Sequence, residues 1–468
     1  MSSTKQDNLT NREYLNLGSC CISLMFFGSI NCWNHILPIY LKRHFEEDET
    51  SNKYYIENSI LQNSFHLSIQ ILIFSNLSKF FGTYFNKYLG LKNTLLISYF
   101  LLILSNLILF LFNGFFHTYI SIILYSISNG ISFLAILEEM WKIFPISRGL
   151  ITGILNCSNN FGIFIFNPLY DYLQSDRIFL IINITFFTIG CVSILFTLNI
   201  KETKKKKRRG SFQESSSKDI LSEQLNEEEE NIDDDNITEK DNPSKEGNDL
   251  LKMLSEIFSF KYVYIISSFL LLLASVYIVS ISYLSFMYLN TIPMISYKKI
   301  YFYIYMISYS VSSIVFGYLY DFKGFRNRII YLITSYNFSL LLFIPLFKIS
   351  FLIFIIEIIN ASALGGVNTM FLPVFYKEFS SEFCFRIMGL TLSLSSIVYF
   401  VIPILMKKLV FNLFGCIVFY IFAFLLNIEA YSLITNFLYP VNLSLLSKEQ
   451  EYKIDLNKQD ELRELATE

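Results

Sequence analysis

The chain has 468 residues, of which 53% are hydrophobic and 17% aromatic but only 16% charged, and its mean hydropathy is +0.45. This composition excludes an ordinary soluble globular domain. The formal net charge of −2 is a poor guide, because it averages a basic block at 204–209 with an acidic block at 227–235. Since lipid admits only helices and closed barrels, and the apolar runs are long, we expect an all-α integral membrane protein.

Apolar runs long enough to cross a bilayer recur along almost the whole chain. In chain order they predict about twelve transmembrane helices, arranged as two parallel six-helix repeats. The first six predicted spans are 15–41, 58–82, 93–112, 118–139, 149–171 and 178–199. The second six are 260–288, 299–320, 328–347, 350–374, 384–407 and 410–436.

Polar segments divide the chain around these two bundles. We expect an N-terminal tail at 1–14, a first bundle at 15–199 and a second bundle at 259–436, followed by a C-terminal tail at 437–468. The segment 200–258 is rich in Lys, Glu, Ser and Asp and poor in aromatic residues, which predicts a disordered, charged linker. The first apolar run is too long for a signal-peptide core, so we interpret it as a retained span.

Basic residues in the short loops predict the orientation. Lys and Arg near span ends favour the cytoplasmic face, and an even number of spans puts both termini on one side. The outer loops hold few basic residues, and Lys42, Arg43 and Lys53 are diluted there by acidic neighbours. We therefore place both termini and the linker on the cytosolic side. The basic loop residues assigned to the same side are Lys87, Lys92, Lys142, Arg148, Lys323, Arg326, Arg328, Lys377 and Arg386.

Two loops carry related sequences. The segment 317–326 reads GYLYDFKGFR, and a degraded copy, 82–92, begins 235 positions earlier (82 to 317). Arg148, next to Gly149, and Arg386, three residues before Gly389, form a second pair of landmarks at nearly the same offset, each at the start of a span. Two landmarks at consistent offsets indicate an internal duplication.

The segment 317–326 resembles the signature loop between the second and third helices of each half in the major facilitator superfamily. The resemblance implies the fold of that family and a cytoplasmic gate formed by Gly82, Asn86, Arg148, Gly317, Asp321, Gly324, Arg326 and Arg386. Gly317 would let helix backbones approach closely, and Asp321 would accept hydrogen bonds from a neighbouring helix N-terminus. The first copy has Asn86 where the family usually has Asp, so we expect the two cytoplasmic contacts to differ and Asp321 to contribute more to gating.

A finer resemblance involves Gly28 to Pro38, with Trp33 inside it, and Arg148-Gly149 continuing to the segment 161–169. These segments are similar to the oxalate/formate antiporter and monocarboxylate porter branch. The acidic-Gly-Gly-Trp opening of many animal monocarboxylate porters is not present before the first span. The branch therefore suggests a substrate class without fixing it.

Polar residues inside the spans are the candidates for a substrate or proton pathway, because they are costly in lipid and usually face the bundle interior. A protonatable group is needed for proton coupling, which singles out His35, His66 and above all Glu357. The alternative is that the amides only hydrogen-bond between helices. The candidates are Asn31, His35, His66, Gln70, Asn129, Asn156, Asn159, Tyr277, Tyr305, Glu357 and Asn360.

Several absences in the sequence limit the function. No Lys or Arg falls near the middle of a predicted span, which disfavours a dianionic substrate. Motifs of membrane-embedded enzymes, such as HExxH, GxSxG and a P-loop, are missing, so we predict no enzyme. The seven cysteines show no metal-binding or disulfide spacing, and we predict no metal and no cofactor.

We therefore predict a multi-pass secondary transporter of a small organic solute, working by alternating access in the plasma membrane or an organelle membrane. A monocarboxylate moving with a proton is the first candidate, and amino acids or other neutral solutes are alternatives. A transporter-like receptor or scaffold without flux is the rival class. The expected partners are the solute, protons and the lipid bilayer, with no nucleic acid, and the expected state is a monomer.

Overall fold

The computed structural model describes residues 11–33, 36–37, 39–41, 53–112, 114–173, 175–197, 262–263, 265–275, 278, 295–322, 350–379, 384–406 and 413–433. These residues are helical, with short turns between helices and no strand among them. The helices are α1 (Asn11–Gly28, extended by a 3₁₀ turn at Ser29–Cys32), α2 (Lys53–Leu111), α3 (Phe115–Ile143), α4 (Arg148–Leu173), α5 (Asp176–Thr197), α6 (Ile265–Ser275), α7 (Ile295–Asp321), α8 (Ser350–Glu378), α9 (Cys384–Met406) and α10 (Leu413–Leu433).

The helices match the predicted spans closely. Every predicted span overlaps a helix except 328–347, which lies outside the described residues. Within the described ranges, seven helical segments are long and apolar enough to cross a membrane. The all-helical membrane fold is confirmed, and the predicted number of about twelve spans is consistent with the described helices. The predicted linker and most of the two predicted tails also lie outside the described residues.

The second and third predicted spans correspond to one helix, α2, broken only at Gly90. Gly90 has φ 76° and ψ 162°, a conformation that a residue without a Cβ adopts at little cost. The prediction ended the second span at residue 82, but helix continues to Leu89. Residues 83–89, which the sequence placed in a loop, contain no proline or glycine that would end a helix. The helix therefore continues past the end of the apolar run.

The surface of α5 shows how the bundle meets lipid. Its large apolar side chains Ile189 and Phe196 are exposed, whereas Asn183 and Phe187 are buried against the other helices. This arrangement is stable in lipid, because apolar side chains can face the hydrocarbon and polar groups must be satisfied inside the bundle. Interior polar groups bond between helices, as where the Ser128 hydroxyl donates to the Ser98 carbonyl at 2.7 Å.

The duplication is visible in the packing of two helix pairs. A Cβ placed on Gly130 of α3 would overlap the Ser75 carbonyl and Ser78 hydroxyl of α2. A Cβ on Gly365 of α8 would overlap the Tyr309 carbonyl and Ser312 hydroxyl of α7. The two glycines are 235 positions apart (130 to 365), the same offset as between the two loops. The same close helix contact therefore occurs in both repeats.

We expect Gly130→Ala to lower the thermal unfolding temperature of the purified protein in detergent. The added methyl must push α2 and α3 apart, and such overpacking costs about 1–3 kcal/mol. Gly18→Ala is the matched control, because a Cβ at Gly18 meets nothing within 4 Å. An unfolding temperature of Gly130→Ala equal to that of Gly18→Ala would contradict this account.

Candidate functional site

Helices α4 and α7 pack antiparallel and join the first helix group (α1–α5) to the second (α6–α10). At one end, a Cβ on Gly149 would overlap the Gly317 carbonyl, and one on Gly317 would overlap the Gly149 carbonyl. Further along, the rings of Phe164 and Tyr303 stack with centroids 5.8 Å apart. We call this contact the α4–α7 seam. Glycine on both sides brings the two backbones together at its Gly149 end.

Asp321 holds this end of the seam. Its Oδ1 accepts a hydrogen bond from the backbone N–H of Gly149 at 2.9 Å, and its Oδ2 accepts one from Leu150 at 2.8 Å. Both donors lie in the first turn of α4, where backbone N–H groups have no partner within the helix and the helix dipole favours a negative charge. The hydrogen bonds expected from the sequence are therefore present, and the role of Asp321 in gating stays a prediction.

The surroundings of Asp321 have two opposite effects on its ionised form: burial destabilises it, and nearby donors and a positive charge stabilise it. Asp321 is the last residue of α7, just outside the predicted span 299–320. Burial raises the pKa of its carboxyl above the ordinary value, against the lowering effects of the Leu150 and Gly149 N–H groups and of the Arg148 charge. The desolvation of the carboxylate therefore outweighs its partners, so this contact is less stable than two charge-assisted hydrogen bonds alone would suggest. A contact that must open and close is expected to have that property.

An aromatic cluster of Trp141, Tyr376 and Phe385 surrounds the start of α4. The Arg148 guanidinium lies over the Tyr376 ring at 3.7 Å, a cation–π distance. The Trp141 ring packs edge-on against Tyr376 at 5.5 Å and tilted against Phe385 at 5.4 Å. Trp141 also donates from Nε1 to the Thr152 hydroxyl at 3.0 Å. Because the three rings come from α3, α8 and α9, the cluster joins both helix groups.

Helices α2 and α9 form a second contact between the two groups, the α2–α9 seam. The Ser393 hydroxyl lies 3.2 Å from the carbonyl oxygens of both Asn76 and Leu77, and 2.9 Å from the Gly389 carbonyl of its own helix, so its single hydrogen is shared among these acceptors. A Cβ on Gly389 would lie 2.9 Å from the Phe80 Cα. Arg386, near the start of α9, is half-buried at this end.

Gly82 and Asn86 do not form the counterpart of the Gly317 and Asp321 contact. A Cβ on Gly82 would overlap the Ile131 carbonyl, so Gly82 packs α2 against α3 of its own group. The Asn86 amide donates to Glu138 Oε2 at 2.9 Å and to Glu139 Oε1 at 3.0 Å. The structure thus brings the first loop against α3, whereas Asp321 reaches the other helix group. A gating role for Gly82 and Asn86 stays a prediction.

The acidic pair that Asn86 contacts also has a basic neighbour. Lys142 Nζ lies 2.9 Å from Glu138 Oε1 and 2.7 Å from Glu139 Oε1. The carboxylates are mostly buried, with 15% and 18% of their side chains exposed. Two buried carboxylates need donors, and the neutral amide of Asn86 supplies two without adding charge.

Among the predicted pathway residues, several amides bond between helices. Gln70 Nε2 donates to the Tyr119 hydroxyl at 2.8 Å, and Asn129 Nδ2 donates to the Ser75 hydroxyl at 3.3 Å. Asn156 Nδ2 donates across the two groups to the Thr369 hydroxyl of α8 at 3.1 Å. Asn360 is buried, and Asn31 and Tyr305 are half-buried. These contacts fit interhelical packing, and their part in a pathway stays a prediction.

Two predicted pathway residues of α4 contact different neighbouring helices. Asn156 points to α8, whereas Asn159 lies against Gly28 of α1, where a Cβ would overlap the Asn159 carbonyl. Positions three apart on a helix are separated by about 60° around its axis, and in this crowded bundle that is enough for the two residues to contact different helices.

The remaining predicted residues lie outside the described residues. They are His35, Tyr277, Gly324 and Arg326, together with the side chains of His66 and Glu357.

The aromatic cluster was missed by the sequence analysis. Trp141 is one of two tryptophans in the chain and stands near the end of a predicted span. That signal could have drawn attention to it, but its contacts with Tyr376 and Phe385 join residues more than 200 positions apart and required the fold.

The comparisons with known proteins agree with this geometry. Residues 19–403 match the family model described as Major Facilitator Superfamily. The chain is similar in structure to the proton:xylose symporter XylE bound to 6-bromo-6-deoxy-D-glucose, with a TM-score of 0.59, 10% identity, and coverage of 92% of this chain and 96% of that one. It is also similar to the human organic anion transporter MFSD10 (TETRAN), with a TM-score of 0.64, 12% identity, and coverage of 90% and 99%. A comparison with curated proteins finds no match.

We expect Asp321→Ala to reduce uptake into vesicles strongly while surface expression stays normal, because the start of α4 loses both acceptors. Asp321→Asn keeps an oxygen acceptor without the charge and should fall between Ala and the unchanged protein. Uptake is measured as an initial rate, normalised to protein in the membrane. Normal uptake by Asp321→Ala would remove the gating assignment.

We expect Asn86→Asp to destabilise the protein near neutral pH, because it places a third carboxylate against Glu138 and Glu139 and removes two donors. Thermal unfolding in detergent measures the effect, and adding Glu139→Gln to the variant should recover much of the loss. Asn93→Asp, at an exposed position of the same helix, is the control. If Asn86→Asp unfolds at the same temperature as Asn93→Asp, the acidic pair does not constrain residue 86.

Proposed function

Since the chain belongs to the major facilitator superfamily, and is therefore a multi-pass membrane transporter of small solutes rather than an enzyme, we propose that it carries a monocarboxylate together with a proton. The two helix groups, 15–199 and 259–436, rock against each other about a central site. The observation that supports the rocking movement is the Asp321 contact with the start of α4, because it joins the two groups at one end of the α4–α7 seam through hydrogen bonds that can break and re-form.

The closed end faces the cytosol in this proposal. Lys142, Arg148 and Arg386 lie at this end of their helices, and Lys and Arg near span ends favour the cytoplasmic side. The structure then represents a state closed to the cytosol. Solute enters from the opposite side, and release requires that Asp321 leave the start of α4.

The substrate class rests on resemblance and on charge. The oxalate/formate antiporter and monocarboxylate porter branch, to which residues 161–169 are similar, suggests a small organic acid. XylE is described as a proton symporter and MFSD10 as an organic anion transporter, and both descriptions fit the proposal without deciding it. Neutral solutes such as amino acids are the alternative substrates, and a receptor without flux is the alternative class.

An uptake screen in proteoliposomes tests the proposal. Pyruvate, lactate, formate and a set of amino acids are supplied with and without an inwardly directed proton gradient. Uptake of a monocarboxylate that increases with the gradient supports the proposal. Uptake restricted to amino acids supports the neutral alternative, and no flux of any solute by correctly inserted protein contradicts transport.

We expect Glu357→Gln to flatten the dependence of uptake on pH between about pH 5.5 and about pH 7.5, the range in which a shifted carboxylic acid or a histidine titrates. A carboxylate inside a span must be protonated, paired or hydrated, which suits a coupling acid. The measurement is initial uptake of the best solute across this range. An unchanged pH profile excludes Glu357 as the coupling acid.

A further inference from the structure

Lys79 of α2 is a cation inside the helix bundle. Its Nζ donates to Asn76 Oδ1 at 2.7 Å and lies 5.4 Å from the centre of the Phe133 ring of α3. Within the described part of the chain, Lys79 forms no ion pair with a carboxylate. Its side chain is partly accessible rather than sealed.

Lys79 lies deeper than the predicted span ends implied. With the second span ending at 82, Lys79 would be an ordinary lysine at the membrane edge. Instead α2 continues as a helix to Leu89, and Asn86 with its acidic pair marks the polar end of the bundle. Seven residues of helix place Lys79 about 10 Å further in than Asn86.

The ammonium group also points inward. Side chains on a helix lean toward its N-terminus, and Asn76 is one turn nearer that end than Lys79. Phe133 likewise lies more than one turn of α3 inward from Glu138. A lysine that reached for the aqueous end would lean the opposite way, toward Asn86.

The hydrogen bonds that Lys79 and Asn76 form within the described residues leave N–H donors of the Lys79 ammonium available for an anion. A lysine ammonium has three N–H donors, and one is used on Asn76. The Asn76 amide is itself fixed, since its Nδ2 donates to the Leu72 carbonyl at 2.9 Å. An ionisable group inside a membrane bundle without a counter-charge is costly and marks a functional site.

We propose that Lys79, oriented by Asn76, binds the carboxylate of a monoanionic substrate on its path between the two helix groups. One ammonium that has no counter-charge among the described residues balances one negative charge, which selects a monocarboxylate over a dicarboxylate. This inference rests on the proposed function and assigns the anion contact within it.

The position of the pair connects anion binding to movement. Asn76 also accepts a hydrogen bond at its carbonyl from Ser393, so the residue that orients Lys79 is part of the α2–α9 seam. Gly389 of α9 lies against the backbone of Lys79 and Phe80. An anion bound here therefore touches a contact that the two groups must change during alternating access.

The test compares three variants of the full chain with the unchanged protein. Lys79→Gln removes the charge, and Lys79→Arg keeps it. Lys87→Gln is the matched control, because Lys87 is exposed on the same helix two turns away. Purified protein in detergent is heated with pyruvate or lactate, or with the corresponding neutral amide, pyruvamide or lactamide, and the shift in unfolding temperature is recorded. Initial uptake of pyruvate by proteoliposomes gives KM.

We expect pyruvate and lactate, but not pyruvamide and lactamide, to stabilise the unchanged protein, Lys79→Arg and Lys87→Gln. Lys79→Gln should lose this stabilisation and show a KM for pyruvate about tenfold to a hundredfold higher, the usual effect of losing a charged hydrogen bond. Stabilisation retained by Lys79→Gln overturns the inference, as does an unchanged protein that responds to neither pyruvate nor lactate.

The outcomes separate this inference from the proposed function. If the protein moves amino acids but no carboxylate stabilises it, transport stands and the Lys79 site falls. If pyruvate stabilises the protein through Lys79 but no solute moves, the site stands and transport falls. A shift that is lost equally in Lys79→Gln and Lys87→Gln reports general surface charge and also contradicts the site.

Discussion

The contact between Asp321 and the first turn of α4 is the interaction on which the account depends. It exists because Gly149 and Gly317 let two helices from different groups approach until their backbones touch, which puts the carboxylate within reach of two unpaired N–H groups. The same geometry makes the contact reversible. Breaking it exposes a carboxylate and two amides that water can satisfy, so opening this end of the bundle requires no covalent change and leaves no buried polar group.

The duplicated sequence has produced two unequal contacts. Gly317 and Asp321 reach across to the other helix group, whereas Gly82 and Asn86 pack against α3 within their own group. Charge explains the difference at residue 86, since an aspartate there would face Glu138 and Glu139, and an amide can donate to both. The two seams therefore differ: the α2–α9 contact consists of close packing and the Ser393 hydroxyl, whereas the α4–α7 contact includes the charged Asp321 carboxylate.

Most of the fold could be predicted from the sequence, because helices that cross lipid need long apolar runs and the charges of their loops follow a known bias. Both features are visible without the structure. The contact of Asp321 with a helix N-terminus was also predictable, from a loop pattern with a known role. Other features could not be read in this way. The second predicted span ends at residue 82, whereas the helix continues to Leu89 before the break at Gly90, so Lys79 lies further from the end of its helical segment than the apolar run indicates. The aromatic cluster around Arg148 and the division of Asn156 from Asn159 depend on which helices become neighbours, which periodicity alone does not determine.

The central claim is that the end of the bundle held by Asp321 opens and closes. Spin labels at Ile146 and Phe322, two exposed residues flanking the Gly149 and Gly317 contact, would report the distance across it in liposomes. The account predicts two distance populations, the shorter one matching the closed structure, with the longer one enriched when Asp321 is replaced by alanine. A single short distance that does not change with that replacement would contradict it.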